Sequence, residues 1–341
     1  MVNPQTISVG WMSAAIDQLV AHGLDRNALV AELGDLPTAT GLPNRQLQLI
    51  LARRLWHLVA DLNDDPLLGL KVGAALPLQA TNIVSLVMLH SPTVTDMIRN
   101  ARTYQGLVSN NGFYSARTVK VGLDTVYRAE PAAILSHPLQ IDSILSVTLS
   151  LMHHAGLPDI RPEFVRVTAP DPSLQSAYET FFRCPVEMGS DEPGYVLSNT
   201  NLKREVPHAD AALLAALQAH GDTLLKAQQR LDQLGFTVRT AITARGSHRV
   251  TCAEVADDLG LGVRTLQRRL AEAGTTFRRL CEEASMEEAE RLLQQTDMAV
   301  TEIAHRLGYS EPSSFSRAIF NWYGMRPSAL RQKTMALVSA S

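Results

Sequence analysis

Two stretches of the chain concentrate side chains able to grip flat polar edges and phosphate groups. From Gly262 to Cys281 there are five arginines (Arg264, Arg268, Arg269, Arg278 and Arg279) and a single acid, Glu272. From Pro312 to Lys333 there are four bases (Arg317, Arg326, Arg331 and Lys333) and no acid. Thr265, Gln267, Ser313 and Ser316 lie among them. An arginine fork can bind guanine through two hydrogen bonds, and a glutamine amide can do the same for adenine. Between the two stretches lies residues 282–290, with five glutamates. A solvated helical surface of mixed charge has a similar composition, so the charge pattern alone does not decide between the two readings.

The deciding feature is an internal duplication, AEVADDLGL (253–261) against TEIAHRLGY (301–309) at an offset of 48. Glu254 pairs with Glu302, Val255 with Ile303, Ala256 with Ala304, Leu259 with Leu307 and Gly260 with Gly308. After small slips Leu266 falls on Phe315, Arg268 on Arg317, Gly274 on Gly324 and Leu280 on Leu330. Each copy reads as helix, tight turn, helix. Thr251 and Glu254 form a capping box. Val255, Ala256 and Leu259 make an apolar stripe at helical spacing. Gly260 and Gly308 suit the positive φ that ends a helix. In the second helix of the first copy, Leu266 and Leu270 point inward, leaving Arg264, Thr265, Gln267, Arg268 and Arg269 outward. In the second copy Ser310 or Glu311 can cap, Pro312 suits the first turn, Phe315 and Ile319 point inward, and Ser313, Ser316 and Arg317 point outward. This composition fits a helix that enters a major groove. Residues 275–295 read as one joining helix. About 20 residues at ~1.5 Å each span ~30 Å, near the ~34 Å between successive groove faces. Its glutamates are expected to face away from DNA and Arg278 and Arg279 towards it, on phosphates.

The strings LGLGVRTLQRRLAEAGTTF and IAHRLGYSEPSSFSRAIFNWYGMRPSALR resemble the two helix–turn–helix signatures of the AraC/XylS transcriptional regulators. The resemblance covers roughly 236–333. It implies base contacts from Arg264, Thr265, Gln267 and Arg268 in the first copy, and from Pro312, Ser313, Ser316 and Arg317 in the second. Two departures stand out. Gly262 replaces a usual capping serine, at a cost of about a few tenths of a kcal/mol. Phe320-Asn321 replace frequent basic residues. Pro312 and Ser313 read bases poorly, so the first copy is expected to carry more sequence information.

The chain has 341 residues, 45% of them apolar and 19% charged, as in globular proteins of two or three domains. Its net charge of −3 would count against a nucleic-acid partner, but the charge is segregated. Residues 1–238 carry 17 Lys and Arg against 22 Asp and Glu, and residues 239–341 carry 14 against 12. Cys184, Cys252 and Cys281 are too few and too far apart for a disulfide framework or a zinc set, which favours a reducing cytoplasm. No membrane span and no signal peptide are expected. GxSxG, HExxH, Walker A and CxxC patterns are absent, and LGLGV (259–263) reads as a turn former, not as a nucleotide loop. No cofactor is expected. His153 and His154, like His137, His208 and His220, read as packing or surface residues because a metal would need further ligands at helical spacing.

Upstream the pattern is α+β. Helices are expected over 49–62 and 93–108, the latter opening at Ser91-Pro92, with a strand pair over 113–131 and a helix over 136–156. Strands are expected near 164–167 and 195–197, with a helix near 173–183 between them, and 157–172 reads as a loop. A Leu- and Ala-rich helix follows Pro207. DDPLLGLKVG (64–73) and SPTVTDMIRNARTY resemble the arabinose-binding-type effector domain of an AraC-like subgroup.

The expected organisation is an effector-binding and dimerisation domain (1–205), a helical linker (206–235, with helix 209–232 a candidate dimer element), an all-α double helix–turn–helix domain (236–333) and a tail (334–341). The expected function is a cytoplasmic, nucleoid-associated transcription regulator controlled by a small-molecule effector. By resemblance it is an activator that meets RNA polymerase and binds promoter DNA as a homodimer. The alternatives are a constitutive DNA-binding regulator without effector and an enzyme fused to a DNA-binding tail. No residue pattern singles out an effector-binding set.

Overall fold

The chain is seen in a computed structural model that describes residues 6–31, 46–129, 136–246, 250–273, 275–323 and 325–338. Gly274, Gly324 and the side chain of Lys333 lie outside the described residues. Two compact units divide the chain, one over Gln5–Lys226 and the other over Ala227–Ser341.

The first unit opens with β1 (Thr6–Ser8), α1 (Val9–Ala21) and α2 (Arg26–Ala31). Next come β2 (Gln46–Gln48), α3 (Leu49–Leu62), α4 (Leu68–Ala75), α5 (Ile83–Leu89) and α6 (Val94–Tyr104). The hairpin β3 (Gly112–Val119) and β4 (Gly122–Ala129) precedes α7 (Pro138–His154), β5 (Phe164–Arg166), α8 (Gln175–Phe182), β6 (Val186–Glu187), β7 (Gly194–Ser198) and α9 (Asn199–Leu202). The main sheet runs β3-β4-β7-β5-β6, antiparallel except for the parallel β5–β6 pair. The pair β1–β2 forms a separate two-stranded sheet within the mainly helical opening stretch. The unit is therefore α+β.

Helix α6 begins two residues beyond the expected Ser91-Pro92 opening. Thr93 is the cap, its side chain accepting a bond from the Asp96 amide, whereas the Ser91 hydroxyl donates 2.7 Å to the Val87 carbonyl. The glycines of LGLKVG serve close packing, since a β-carbon at Gly69 or Gly73 would collide with the α7 carbonyls of Leu139 and Ser143. His153 Nε2 donates to the Ile160 carbonyl at 3.1 Å and His154 Nδ1 to that of Ser150 at 2.8 Å. Both imidazoles are thus anchored to backbone.

Helix α10 runs without interruption over Ala211–Arg245. The stretch expected to be a linker lies within it from Ala211 onward. Its first part belongs to the first unit, where Leu214 is buried and the Tyr104 hydroxyl donates to Asp222 at 2.9 Å. Its last part belongs to the second, where Val238 and Ile242 join Val255, Ala256, Leu266, Leu270, Leu280 and Ala284 in one core. The second unit is all-α, with α11 (Cys252–Asp258), α12 (Val263–Glu272), α13 (Phe277–Gln295), α14 (Val300–Arg306), α15 (Pro312–Tyr323) and α16 (Pro327–Val338). No helix is long and apolar enough to cross a membrane among the described residues.

Candidate nucleic-acid interface

The duplication is visible down to individual hydrogen bonds. In the first copy Gly260, at φ 62°, ends α11, the Leu261 amide donates to the Ala256 carbonyl at 2.8 Å, and that of Gly260 to Asp257 at 2.9 Å. In the second Gly308, at φ 84°, ends α14, the Tyr309 amide donates to Ala304 at 3.0 Å, and that of Gly308 to His305 at 3.0 Å. Each turn is the same glycine-centred C-cap. Ala256 and Ala304 are both fully buried where the following helix crosses, as are Leu266 and Leu270 in α12 and Phe315 and Ile319 in α15. The capping box is present, with the Glu254 amide donating to Thr251 Oγ1 and Glu254 Oε2 accepting from the Thr251 amide. Gly262 caps α12 through its backbone carbonyl only, which accepts from Leu266 at 3.0 Å.

Burying Leu266 and Leu270 turns one face of α12 outward. Arg264, Gln267, Arg268 and Arg269 are exposed there, and Thr265 is half-buried. Arg268 reaches Glu272 at 2.6 Å one turn on. An exposed pair of this kind is worth little and exchanges readily for a nucleotide partner. On α15, Ser313 and Arg317 are exposed, and Pro312 and Ser316 are half-buried. Ser316 and Arg317 share a shallow groove with Val300, Phe320, Arg326, Pro327 and Ser328. Phe320 is 52% exposed, so the outward face of α15 is more apolar than that of α12. Arg326 and Val263, outside the expected set of base contacts, are both exposed beside these faces. The basic island from 312 to 333 already pointed to Arg326. Val263 had no signal beyond its place at the start of α12.

The 19 residues of α13 span ~28 Å and form a spine for both copies. Its first half buries Leu280 and Ala284 against the first copy. On its second half, Tyr323 from α15 donates to the Met286 carbonyl at 2.9 Å, and Arg331 Nε from α16 donates to that of Leu293 at 3.2 Å. Arg278 and Arg279 differ in exposure. The Arg278 side chain is 90% exposed and meets Glu282 at 3.1 Å. Arg279 is only 38% exposed, meets Glu283 at 3.5 Å, and lies over the Trp322 ring of α15 at 4.9 Å. Glu283 also meets the buried Arg239 of α10 at 3.5 Å. Two of the glutamates in this stretch, Glu282 and Glu283, are the partners of these arginines. The reason is helical spacing, because Glu282 and Glu283 each sit four residues after an arginine.

The family described as the arabinose-binding domain of AraC transcription regulators matches residues 23–206, and a helix–turn–helix domain family matches 255–333. The chain belongs to the AraC family of transcription regulators. An ornithine utilization regulator of Pseudomonas aeruginosa is 26% identical over 96% of this AraC-type chain and 97% of its own. The transcriptional regulator VqsM of the same species is 25% identical over 77% of this chain and 83% of its own. The crystal structure of CdpR, also from P. aeruginosa, has a TM-score of 0.48 at 20% identity, covering 94% of this chain and 97% of that one. These AraC-type relatives are transcription regulators, not enzymes.

The first unit holds a second candidate site, a cavity of about 120 Å³ lined from β1, α1, α5, α6, β3, β4, α7 and β7. Its walls include Trp11, Val84, Met88, Ile144, Val147 and Leu151. Among the lining residues, Arg102 alone is charged. Eight elements spread from β1 to β7 contribute, α7 the most with six residues, so no local motif could announce the cavity.

Proposed function

We propose that this AraC-type regulator reads promoter DNA through α12 and α15, with α12 supplying most of the base discrimination, and that a small molecule in the cavity of the first unit controls it. The observation that carries the reading is the pair of matching glycine-capped turns, each followed by a helix whose inward face is apolar and whose outward face is polar. On α12, Arg264, Gln267 and Arg268 supply the donors that suit guanine and adenine edges, while Arg269 and Arg278 suit phosphate. On α15 the corresponding set is Pro312, Ser313, Ser316 and Arg317, poorer in donors. The reading assigns effector binding and dimerisation to 1–205 and DNA binding to 236–333. It places the protein in the cytoplasm on the nucleoid, as a homodimeric activator that meets RNA polymerase. A homodimer would set four such helices on DNA and offset the low net charge.

Affinity measurements on a library of single-base operator variants test the division of roles. Arg268→Ala should cost ~1–3 kcal/mol at one base pair and relax the preference there, whereas Arg278→Ala should weaken all sequences alike. Equal loss across the library for both variants overturns the assignment.

A further inference from the structure

The cavity's chemistry narrows the class of ligand, on the reading above that the first unit binds an effector. Several of its polar groups are already committed to the protein. The Tyr114 hydroxyl donates to the Ile144 carbonyl at 3.3 Å and lies 3.0 Å from Thr148 Oγ1. Asn111 Nδ2 donates to the Tyr127 hydroxyl at 3.1 Å, and Gln105 Oε1 accepts from the Tyr114 amide at 3.2 Å. Two groups stand apart. Gln140 lines the cavity, is only 2% exposed, and its Oε1 has no hydrogen-bond partner. A buried polar atom in that condition calls for a partner. Arg102 lies at the solvent side, exposed, with Nε donating to the Tyr114 carbonyl at 3.0 Å and no carboxylate paired to it among the described residues. The bond to Tyr114 steadies the guanidinium and leaves its outer N–H groups for an anion, which they suit in a two-pronged geometry.

We infer that the cavity binds a small amphipathic carboxylate, with its apolar body against the aliphatic and aromatic walls, its carboxylate on Arg102 and one hydroxyl or amino group on the Gln140 amide. An apolar cavity of about 150 Å³ takes up benzene, so the space here suits one ring or a short branched chain. A free pentose does not suit it, because most of its hydroxyls would lose water against the apolar wall without gaining a partner. Arabinose, the sugar in the family's description, is therefore a poor fit to this chain.

The test is the melting temperature of the full-length chain, with dissociation constants by calorimetry. The probes are 4-hydroxybenzoate, 4-hydroxyphenylacetate, octanoate, benzoate, 4-hydroxybenzamide and L-arabinose. At ten times its dissociation constant a hydroxylated aromatic acid should raise the melting temperature by ~3 °C or more. The matching amide should bind at least ~10-fold more weakly, the scale of a charge-assisted hydrogen bond. Arg102→Gln should erase the difference between acid and amide, Arg102→Lys should restore part of it, and Gln140→Leu should erase the advantage of 4-hydroxybenzoate over benzoate. Equal binding of acid and amide to the unsubstituted chain overturns the inference, whatever the variants do. A shift with L-arabinose and none with the acids also overturns it, yet leaves the effector reading standing. No shift with these probes or with a wider metabolite set overturns both.

Discussion

Arg279→Ala separates two roles that adjacent arginines could share. In the structure Arg279 joins α13 to α15 by lying 4.9 Å from the Trp322 ring, and it meets Glu283 of its own helix at 3.5 Å. At a partly exposed site the ring contact is worth ~0.5–1 kcal/mol, and the ion pair, screened by water, another ~0.2–1 kcal/mol. Losing both should cost ~1–2 kcal/mol, which for a unit of roughly 100 residues lowers the melting temperature by ~4–10 °C. Arg278, 90% exposed and paired among the described residues only with Glu282, should shift it by less than ~2 °C when replaced by alanine. The assay is thermal melting in parallel with affinity for one operator at several salt concentrations. Arg278→Ala should reduce the salt slope by about one, as expected for a lost phosphate contact. Arg279→Ala should leave the slope unchanged. An Arg279→Ala protein with unaltered melting and a slope reduced by one would refute this argument and return Arg279 to the phosphate role its sequence position suggested.

Three further outcomes follow from the first unit. Asp142 is fully buried, accepts from the Tyr178 hydroxyl at 2.6 Å, and is driven by burial to a pKa of about 7 from 3.8. The folded state therefore keeps a proton that the unfolded chain releases, so stability should fall as pH rises from ~4 to ~7, by ~4 kcal/mol at most. Asp142→Asn should flatten that segment of a urea-denaturation series, and an undiminished pH dependence in the variant would contradict it. Burial would also raise Asp124, but hydrogen bonds from Arg166 and Arg117 hold it below the usual carboxylate range. Asp124→Ala, which strands the buried Arg166, should cost ~3–5 kcal/mol in the same assay, and a loss below ~1 kcal/mol would show the pair to be dispensable. Gly73→Ala should destabilise by several kcal/mol because the added methyl meets the Ser143 carbonyl of α7. Gly106→Ala is the control, having open space at that position. Equal melting of the two variants would show that the α4–α7 contact yields freely.

Legibility in the sequence depended on how local each device is. The capping box at Thr251, the glycine turns at Gly260 and Gly308, and the inward pairs Leu266/Phe315 and Leu270/Ile319 rest on spacings of a few residues. The duplication repeats them, so they could be read directly and lie where expected. The β3–β4 hairpin and the long α7 were visible through their periodicity. The pair β1–β2 was not, because each strand has three residues and their pairing joins Thr6 to Gln48 across a helical stretch. The contact of Arg279 with α15 was not legible for a related reason. Its helical neighbour Glu283 could be foreseen, but the Trp322 ring belongs to another helix 43 positions away.

The two copies share a scaffold but not an outward chemistry. Replacing Leu266 and Leu270 by Phe315 and Ile319 preserves the buried face, so the fold tolerates the exchange. On the outward face, Gln267 and Arg268 of the first copy fall on Ser316 and Arg317 of the second, and the exposed Phe320 adds apolar surface beside them. A phenylalanine can touch a thymine methyl but forms no bidentate pair with a base. Contacts from α15 should therefore discriminate bases less than contacts from α12. Arg326 should supply backbone affinity that depends on salt more than on sequence. It follows that moving Gln267 into the second copy, as Ser316→Gln, should sharpen base preference in the half of the operator that α15 faces. Selection of bound sequences from a randomised pool would measure this. An unchanged preference in that half would mean that α15 is held too far from the bases to read them.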